Sequence, residues 1–106
     1  MFFNSGNIYD GSWQGDSRSG QGRELFANKD LYEGTFKKDK FHGKGVFKWN
    51  DGEIYDGDWV HGKREGFGVW KNTSGDVYRG MWKADKFNGK GQLTLSDGII
   101  ITTFLN

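Results

Sequence analysis

The sequence lacks cysteine and proline, and none of its apolar runs approaches the length of a membrane span. The lack of cysteine excludes a disulfide-stapled fold, and the first residues lack the basic and long apolar regions of a secretion signal. We therefore expect a cytoplasmic protein. Because the net charge is only +1, the chain has no overall attraction to nucleic acid or anionic lipid. We predict no nucleic-acid partner.

Glycine and aromatic residues are abundant. The 106 residues include 18 glycines, and aromatic side chains make up 17% of the chain. This length corresponds to one small domain, with a core too small to be generously stable. The composition is typical of strands joined by turns.

One phrase recurs along the chain every 23 residues. It begins with a tyrosine, has a glycine two positions later and an aromatic residue two positions after that, and continues to a G-x-G pair. The tyrosines are Tyr9, Tyr32, Tyr55 and Tyr78; the first glycines are Gly11, Gly34, Gly57 and Gly80; the aromatics are Trp13, Phe36, Trp59 and Trp82. The G-x-G pairs begin at Gly20, Gly43, Gly66 and Gly89.

This pattern resembles the MORN (membrane occupation and recognition nexus) repeat over essentially the whole chain. The resemblance implies one domain over residues 1–106, with a partial repeat at 1–8, repeats at 9–31, 32–54, 55–77 and 78–100, and a degenerate terminal strand at 101–106. Proteins of this family act as non-catalytic scaffolds for partner peptides, cytoskeletal proteins or a second copy. The resemblance also implies a location at the cytoskeleton or membrane periphery.

The physics of the repeat predicts the same fold. Tyr55, Gly57 and Trp59 alternate, so they share one face of a strand. A three-residue bulged turn at 50–52 would place Phe47 opposite Tyr55, and rings could then cover the bare backbone of neighbouring glycines. We predict an all-β, elongated single-layer antiparallel sheet of successive hairpins, with about nine strands and a length of roughly 40 Å.

The candidate chemical motifs are weak. Asp51, Glu53, Asp56 and Asp58 lack the spacing and flanking helices of a calcium loop, so turn chemistry explains them better. The G-x-G pairs precede no helix, which disfavours a phosphate loop. His42 and His61 fall in predicted loops without a nucleophile or paired carboxylate. We predict no cofactor, no metal site and no catalysis.

The rings of the repeats all fall on one side of the predicted sheet, here called the aromatic face. They could simply cover each other and the glycines, but we expect the remaining surface to form an apolar groove for a protein or peptide partner. The predicted partner-binding residues are Tyr32, Phe36, Phe47, Trp49, Tyr55, Trp59, Trp70, Tyr78 and Trp82.

Charge is segregated between the two long edges of the predicted sheet. The segments between each repeat aromatic and its G-x-G pair are rich in lysine; we expect longer loops there and call this the basic edge. Its lysines could merely discourage aggregation, or they could bind the anionic headgroups of a membrane surface. The candidate lipid-binding residues are Lys40, Lys63, Arg64 and Lys86.

The last segment, residues 99–105, is apolar and uncharged and reads as an exposed edge strand. We expect the rest of a longer protein or a second copy to cover it. A homodimer would pair these strands through Ile99, Ile101 and Thr103.

Overall fold

The computed structural model describes the backbone of residues 5–105 and the side chains of residues 5–102. Residues 1–4 of the predicted partial repeat and residue 106 of the predicted terminal strand lie outside the described residues. The strands are β1 (Ile8–Gln14), β2 (Ser17–Leu25), β3 (Leu31–Lys37), β4 (Lys40–Lys48), β5 (Ile54–Val60), β6 (Lys63–Lys71), β7 (Val77–Lys83), β8 (Lys86–Thr94) and β9 (Ile100–Leu105). They form one antiparallel sheet in chain order. The longest dimension is 46 Å. The predicted single-layer sheet of hairpins is confirmed.

The turn between β4 and β5 has the predicted bulged form. The Trp49 N–H donates to the Glu53 carbonyl at 2.9 Å, and the Gly52 N–H donates to the Trp49 carbonyl at 3.0 Å. Gly52 has a φ of 103°, the left-handed conformation that the bulge requires. As predicted, Phe47 therefore pairs with Tyr55, and Gly45 pairs with Gly57.

The prediction of longer loops at the basic edge is wrong. Lys37 pairs with Lys40, so the connection from β3 to β4 is a two-residue turn. Its central residues, Lys38 and Asp39, have φ values of 49° and 69°, as a type I′ turn requires. The strands therefore continue almost to the edge, and His42 lies within β4 rather than in a loop.

The residues that were expected to form a loop between β3 and β4 instead form a bulge in β4. Gly34 pairs with Gly45 while Phe36 pairs with Phe41, so β4 has two more residues than β3 between these pairs. Gly43, the first glycine of its G-x-G pair, lies in this bulge with a φ of 77°. The first glycine of the pair therefore allows a left-handed backbone conformation, whereas the second allows a ring to pack on the backbone.

The second glycine lies under a tyrosine ring. Gly45 in β4 pairs with Gly34 in β3, and the Tyr32 ring covers this glycine pair. A Cβ atom on Gly45 would lie 2.6 Å from Tyr32 Cε1, closer than real carbon atoms approach. The Tyr32 hydroxyl donates to the Thr35 carbonyl at 2.8 Å. The same arrangement recurs in each repeat, so a single layer buries its tyrosines against its own backbone.

The repeat aromatics enclose each tyrosine laterally. Tyr55 contacts Trp59 of its own repeat and Trp82 of the next, with ring centroids 5.1 and 5.2 Å apart and near-perpendicular planes. The Trp59 indole N–H donates to the Gly45 carbonyl at 3.1 Å. The buried apolar residues all lie on the aromatic face: Tyr9, Tyr32, Phe36, Phe47, Tyr55, Trp59, Tyr78 and Trp82.

We expect Gly45→Ala to lower the free energy of unfolding by about 2 kcal/mol, because the added methyl would displace the Tyr32 ring. Gly62→Ala is the control: a Cβ added to that glycine would have nothing within 4 Å, and its φ is 84°. Its substitution adds only left-handed strain, about 1 kcal/mol. Urea denaturation measures both values. A Gly45→Ala protein as stable as the wild type would contradict this packing.

We also expect the fold to be lost at alkaline pH. Burial raises the pKa of the Tyr9, Tyr32 and Tyr55 hydroxyls above the ordinary value of 10.0. The stability that the neutral tyrosines contribute is fully present below about pH 10, because the unfolded chain also keeps these protons there. It is lost as the pH rises toward the pKa values of the tyrosines in the folded protein.

Tyrosinate absorbance and near-UV circular dichroism should therefore change together above that pH, while urea-unfolded protein should ionise at the ordinary value. Ionisation near pH 10.0 in a protein that keeps its near-UV signal would contradict the burial of these hydroxyls.

Candidate functional site

The structure divides the predicted partner-binding residues into two groups. Most are buried within the single chain: Tyr32, Phe36, Phe47, Tyr55, Trp59, Tyr78 and Trp82. Trp49 and Trp70 are only partly buried and pack at the margin of this core. Only Trp49 and Trp70 therefore offer substantial ring surface to a partner, and the role of the whole set in binding stays a prediction.

Phe41 and Phe87 belong to the aromatic face but were missed by the sequence analysis. Phe41 stacks on Tyr32 with centroids 3.9 Å apart and planes 10° from parallel. Phe87 stacks on Tyr78 at 4.1 Å and 22°. Each is the residue two positions after its turn. The fixed position within the repeat was the signal that could have identified them.

Arginine takes the same position in the other two repeats. The guanidinium carbon of Arg18 lies 5.7 Å from the centroid of the Tyr9 ring, and that of Arg64 lies 5.8 Å from the centroid of Tyr55. The residue that covers the tyrosine therefore alternates between arginine and phenylalanine along the sheet.

Each arginine also binds the turn of the next repeat. The backbone N–H of Arg64 donates to Asp85 Oδ1 at 2.9 Å, its Nε donates to the same oxygen at 3.2 Å, and its Nη2 donates to the Asp85 carbonyl at 3.0 Å. Arg18 makes the same three bonds to Asp39. Hydrogen bonds from the backbone N–H and side chain of Arg18 lower the pKa of Asp39. These contacts fix the arginine side chains.

A groove of about 630 Å³ opens on the aromatic face and is lined by residues of the last three repeats. Its walls are Trp49 from the β4–β5 turn, Trp70 from β6 and Phe87 from β8. The guanidinium carbon of Arg64 lies 4.5 Å from the centroid of the Trp82 ring. The groove therefore combines apolar rings with a cation whose position is fixed.

Glu53 and Asp85 are the two carboxylates among the described residues that line the groove; Asp85 is bound to Arg64, and Glu53 is bound to Trp70. Glu53 accepts a hydrogen bond from the Trp70 indole N–H at 3.0 Å. Burial is the main reason why the pKa of Glu53 is raised; Asp51 adds to the increase, whereas the bond from Trp70 and the charge of Arg64 oppose it. Glu53 is thus partly buried and already hydrogen-bonded within the groove.

The basic edge does not present all four candidate lipid-binding residues alike. Lys40, Lys63 and Lys86 are exposed, and each begins a strand directly after a turn. Arg64 is instead held by Asp85 beneath the groove. The structure therefore brings the three lysines to one edge and places Arg64 on the aromatic face.

The predicted self-association residues lie at one end of the sheet. Ile99 and Ile101 are 54% and 43% exposed, and β9 pairs only with β8 among the described strands. The backbone of Thr103 lies opposite Gly91. An exposed apolar strand therefore ends the sheet.

His42 and His61, the two histidines of the chain, lie next to each other across neighbouring hairpins, with ring centroids 5.3 Å apart. Burial, together with the charges of Lys37 and His61, lowers the pKa of His42. Over residues 5–102, no cluster of three or more histidine or acidic side chains could hold a metal ion. In the same part of the chain, no helix is long and apolar enough to cross a membrane.

Comparison with known proteins identifies the repeat. The family model described as "MORN repeat" matches residues 9–31, 32–54, 55–77 and 78–100, which is most of the chain. A search among curated proteins returned no match. MORN repeats are generally non-enzymatic modules for interaction with proteins or membranes. The chain therefore belongs to the MORN repeat family.

Proposed function

We propose that this chain is a non-catalytic interaction module that binds a partner peptide or helix on its aromatic face, in the groove lined by Trp49, Trp70 and Phe87. The observation that carries the proposal is the partial exposure of these three rings, which pack together against the buried aromatic core. Aromatic side chains on a rigid support are the commonest centres of protein interfaces.

The size and setting of the groove favour a peptide. Its volume of about 630 Å³ is in the range of specific ligand pockets, but it opens along the face of the sheet. An extended chain or one side of a helix could place two or three side chains in it. Because hydrogen bonds and ring contacts fix Trp70 and Arg64, little ordering would accompany binding.

The alternative, binding of anionic lipid headgroups by the basic edge, has less support. Lys40, Lys63 and Lys86 are exposed, but Asp39 and Asp85 alternate with them in the turns. Strong lipid binding usually needs clustered basic residues without interleaved acids. Arg64 is also committed to Asp85.

We expect Trp70→Ala to weaken the binding of groove peptides by about 2 kcal/mol, because it removes an exposed aromatic wall of the groove. The peptides are selected from a random display library on the intact wild-type chain, and their affinities are measured by calorimetry. Phe67→Ala is the matched control, because this ring is 49% exposed on the same strand but lies on the opposite face.

Both variants should keep the near-UV circular dichroism of the wild type. If every selected peptide binds Trp70→Ala as tightly as Phe67→Ala, the groove is not the binding site.

We further propose that β9 mediates self-association, because its exposed isoleucines border a strand edge with no neighbour among the described strands. Light scattering at micromolar concentration should then detect a dimer of the wild type and a monomer of Ile101→Lys. Leu25→Lys, which changes another exposed apolar residue near the other end of the sheet, should remain dimeric. A wild type that is monomeric at high concentration would contradict this proposal.

A further inference from the structure

The two arginines of the aromatic face differ in the hydrogen bonding of Nη1. Arg18 and Arg64 lie at equivalent repeat positions, and both use the backbone N–H, Nε and Nη2 to bind the turn of the following repeat. The remaining nitrogen of Arg18, Nη1, donates to Glu24, which is only 4% exposed. The first arginine thus binds a second carboxylate, from its own strand, in addition to Asp39.

The corresponding carboxylate is missing around Arg64. The residue that occupies the repeat position of Glu24 is Trp70. Among residues 5–102, no side chain or backbone oxygen accepts a hydrogen bond from Arg64 Nη1. The Arg64 side chain is 20% exposed and lines the open groove, where a ligand can reach it.

Glu53 does not replace the missing acceptor. It occupies the repeat position of Asn7, which donates to Glu24 in the first repeat, and it accepts a hydrogen bond from Trp70 instead. Within the described residues, Glu53 forms no ion pair with Arg64. The first repeat therefore provides a carboxylate for Nη1 of its arginine, whereas the third provides no acceptor among the described residues for Arg64, which lines the groove.

We propose that the groove recognises an acidic peptide, whose Asp or Glu carboxylate accepts a hydrogen bond from Arg64 Nη1 while an adjacent apolar side chain packs between Trp49, Trp70 and Phe87. This inference rests on the function proposed above and specifies its ligand. The ligand carboxylate would take the role that Glu24 has beside Arg18. Lys86 also lines the groove and offsets negative charge from Glu53 and Asp85.

A basic peptide is the competing occupant, because Glu53 and the tryptophans could together hold a cation. The structure favours the acidic ligand for two reasons. Glu53 already accepts the Trp70 indole N–H, and Asp85, the other groove carboxylate, already accepts hydrogen bonds from Arg64. The fixed cation Arg64 also lies over the Trp82 ring in the same groove. An incoming cation would meet Arg64 at close range, whereas an incoming carboxylate would complete its hydrogen bonds.

The first arm of the test uses the intact wild-type chain and peptides from the random display library. We expect the groove-binding peptides to contain Asp or Glu, and conversion of that residue to Asn or Gln should weaken binding about tenfold or more. Binding should also weaken with added salt. This arm requires no substitution in the protein and cannot be obscured by misfolding.

The second arm rebuilds the first repeat within the third. Trp70→Glu supplies an internal carboxylate to Arg64, and Trp70→Gln is the matched control that loses the same ring without adding charge. Trp70→Glu should bind the acidic peptide about tenfold more weakly than Trp70→Gln. Glu53→Gln should bind the acidic peptide more tightly than the wild type does, because the substitution removes a negative charge that repels the peptide carboxylate.

The outcomes separate the inference from the function on which it depends. Peptides that need Trp70 but bind equally well after the loss of their acidic residue would overturn the acidic ligand and leave the groove as the site. The same holds for basic peptides that Glu53→Gln weakens. Peptides that are indifferent to Trp70→Ala would overturn both.

Discussion

The fold depends on the packing of a tyrosine ring against two paired glycines. A single-layer sheet has no second layer to cover its apolar side, so each ring must be buried by its own backbone and by its neighbours. The pairing of Gly34 with Gly45 provides a surface without side chains, and Tyr32 lies on it. This contact fixes the register of the hairpin, because a shift of one residue would move the glycines away from the ring.

The same packing separates structural rings from rings that can bind a partner. Trp59 and Trp82 enclose the tyrosines and donate to the carbonyls of Gly45 and Gly68, so they have little free surface. The residue that covers each tyrosine alternates between arginine and phenylalanine along the sheet. A cavity of about 290 Å³ lies at the equivalent place beside Arg18, where Glu24 stands, and the larger groove beside Arg64 has Trp70 at that position.

The sequence predicted the sheet, the bulged turn at 50–52 and the pairing of Phe47 with Tyr55, because strict glycine and ring spacing leaves one register that buries the rings. It did not predict the tight turns at the basic edge. The bulge at Gly43 lengthens the strand without a loop, and spacing alone does not distinguish these possibilities. The role of Phe41 was missed. The lack of an acceptor for Arg64 Nη1 within residues 5–102 was also not predicted, because it results from three-dimensional contacts among several repeats.

The most direct test of this account uses the indole N–H resonances of the five tryptophans during titration with a selected peptide. If the buried rings support the fold and the groove binds the peptide, the signals of Trp49 and Trp70 should shift. The signal of Trp59, whose N–H is buried against the Gly45 carbonyl, should stay in place. Shifts confined to Trp13, at the opposite end of the sheet, would contradict the account.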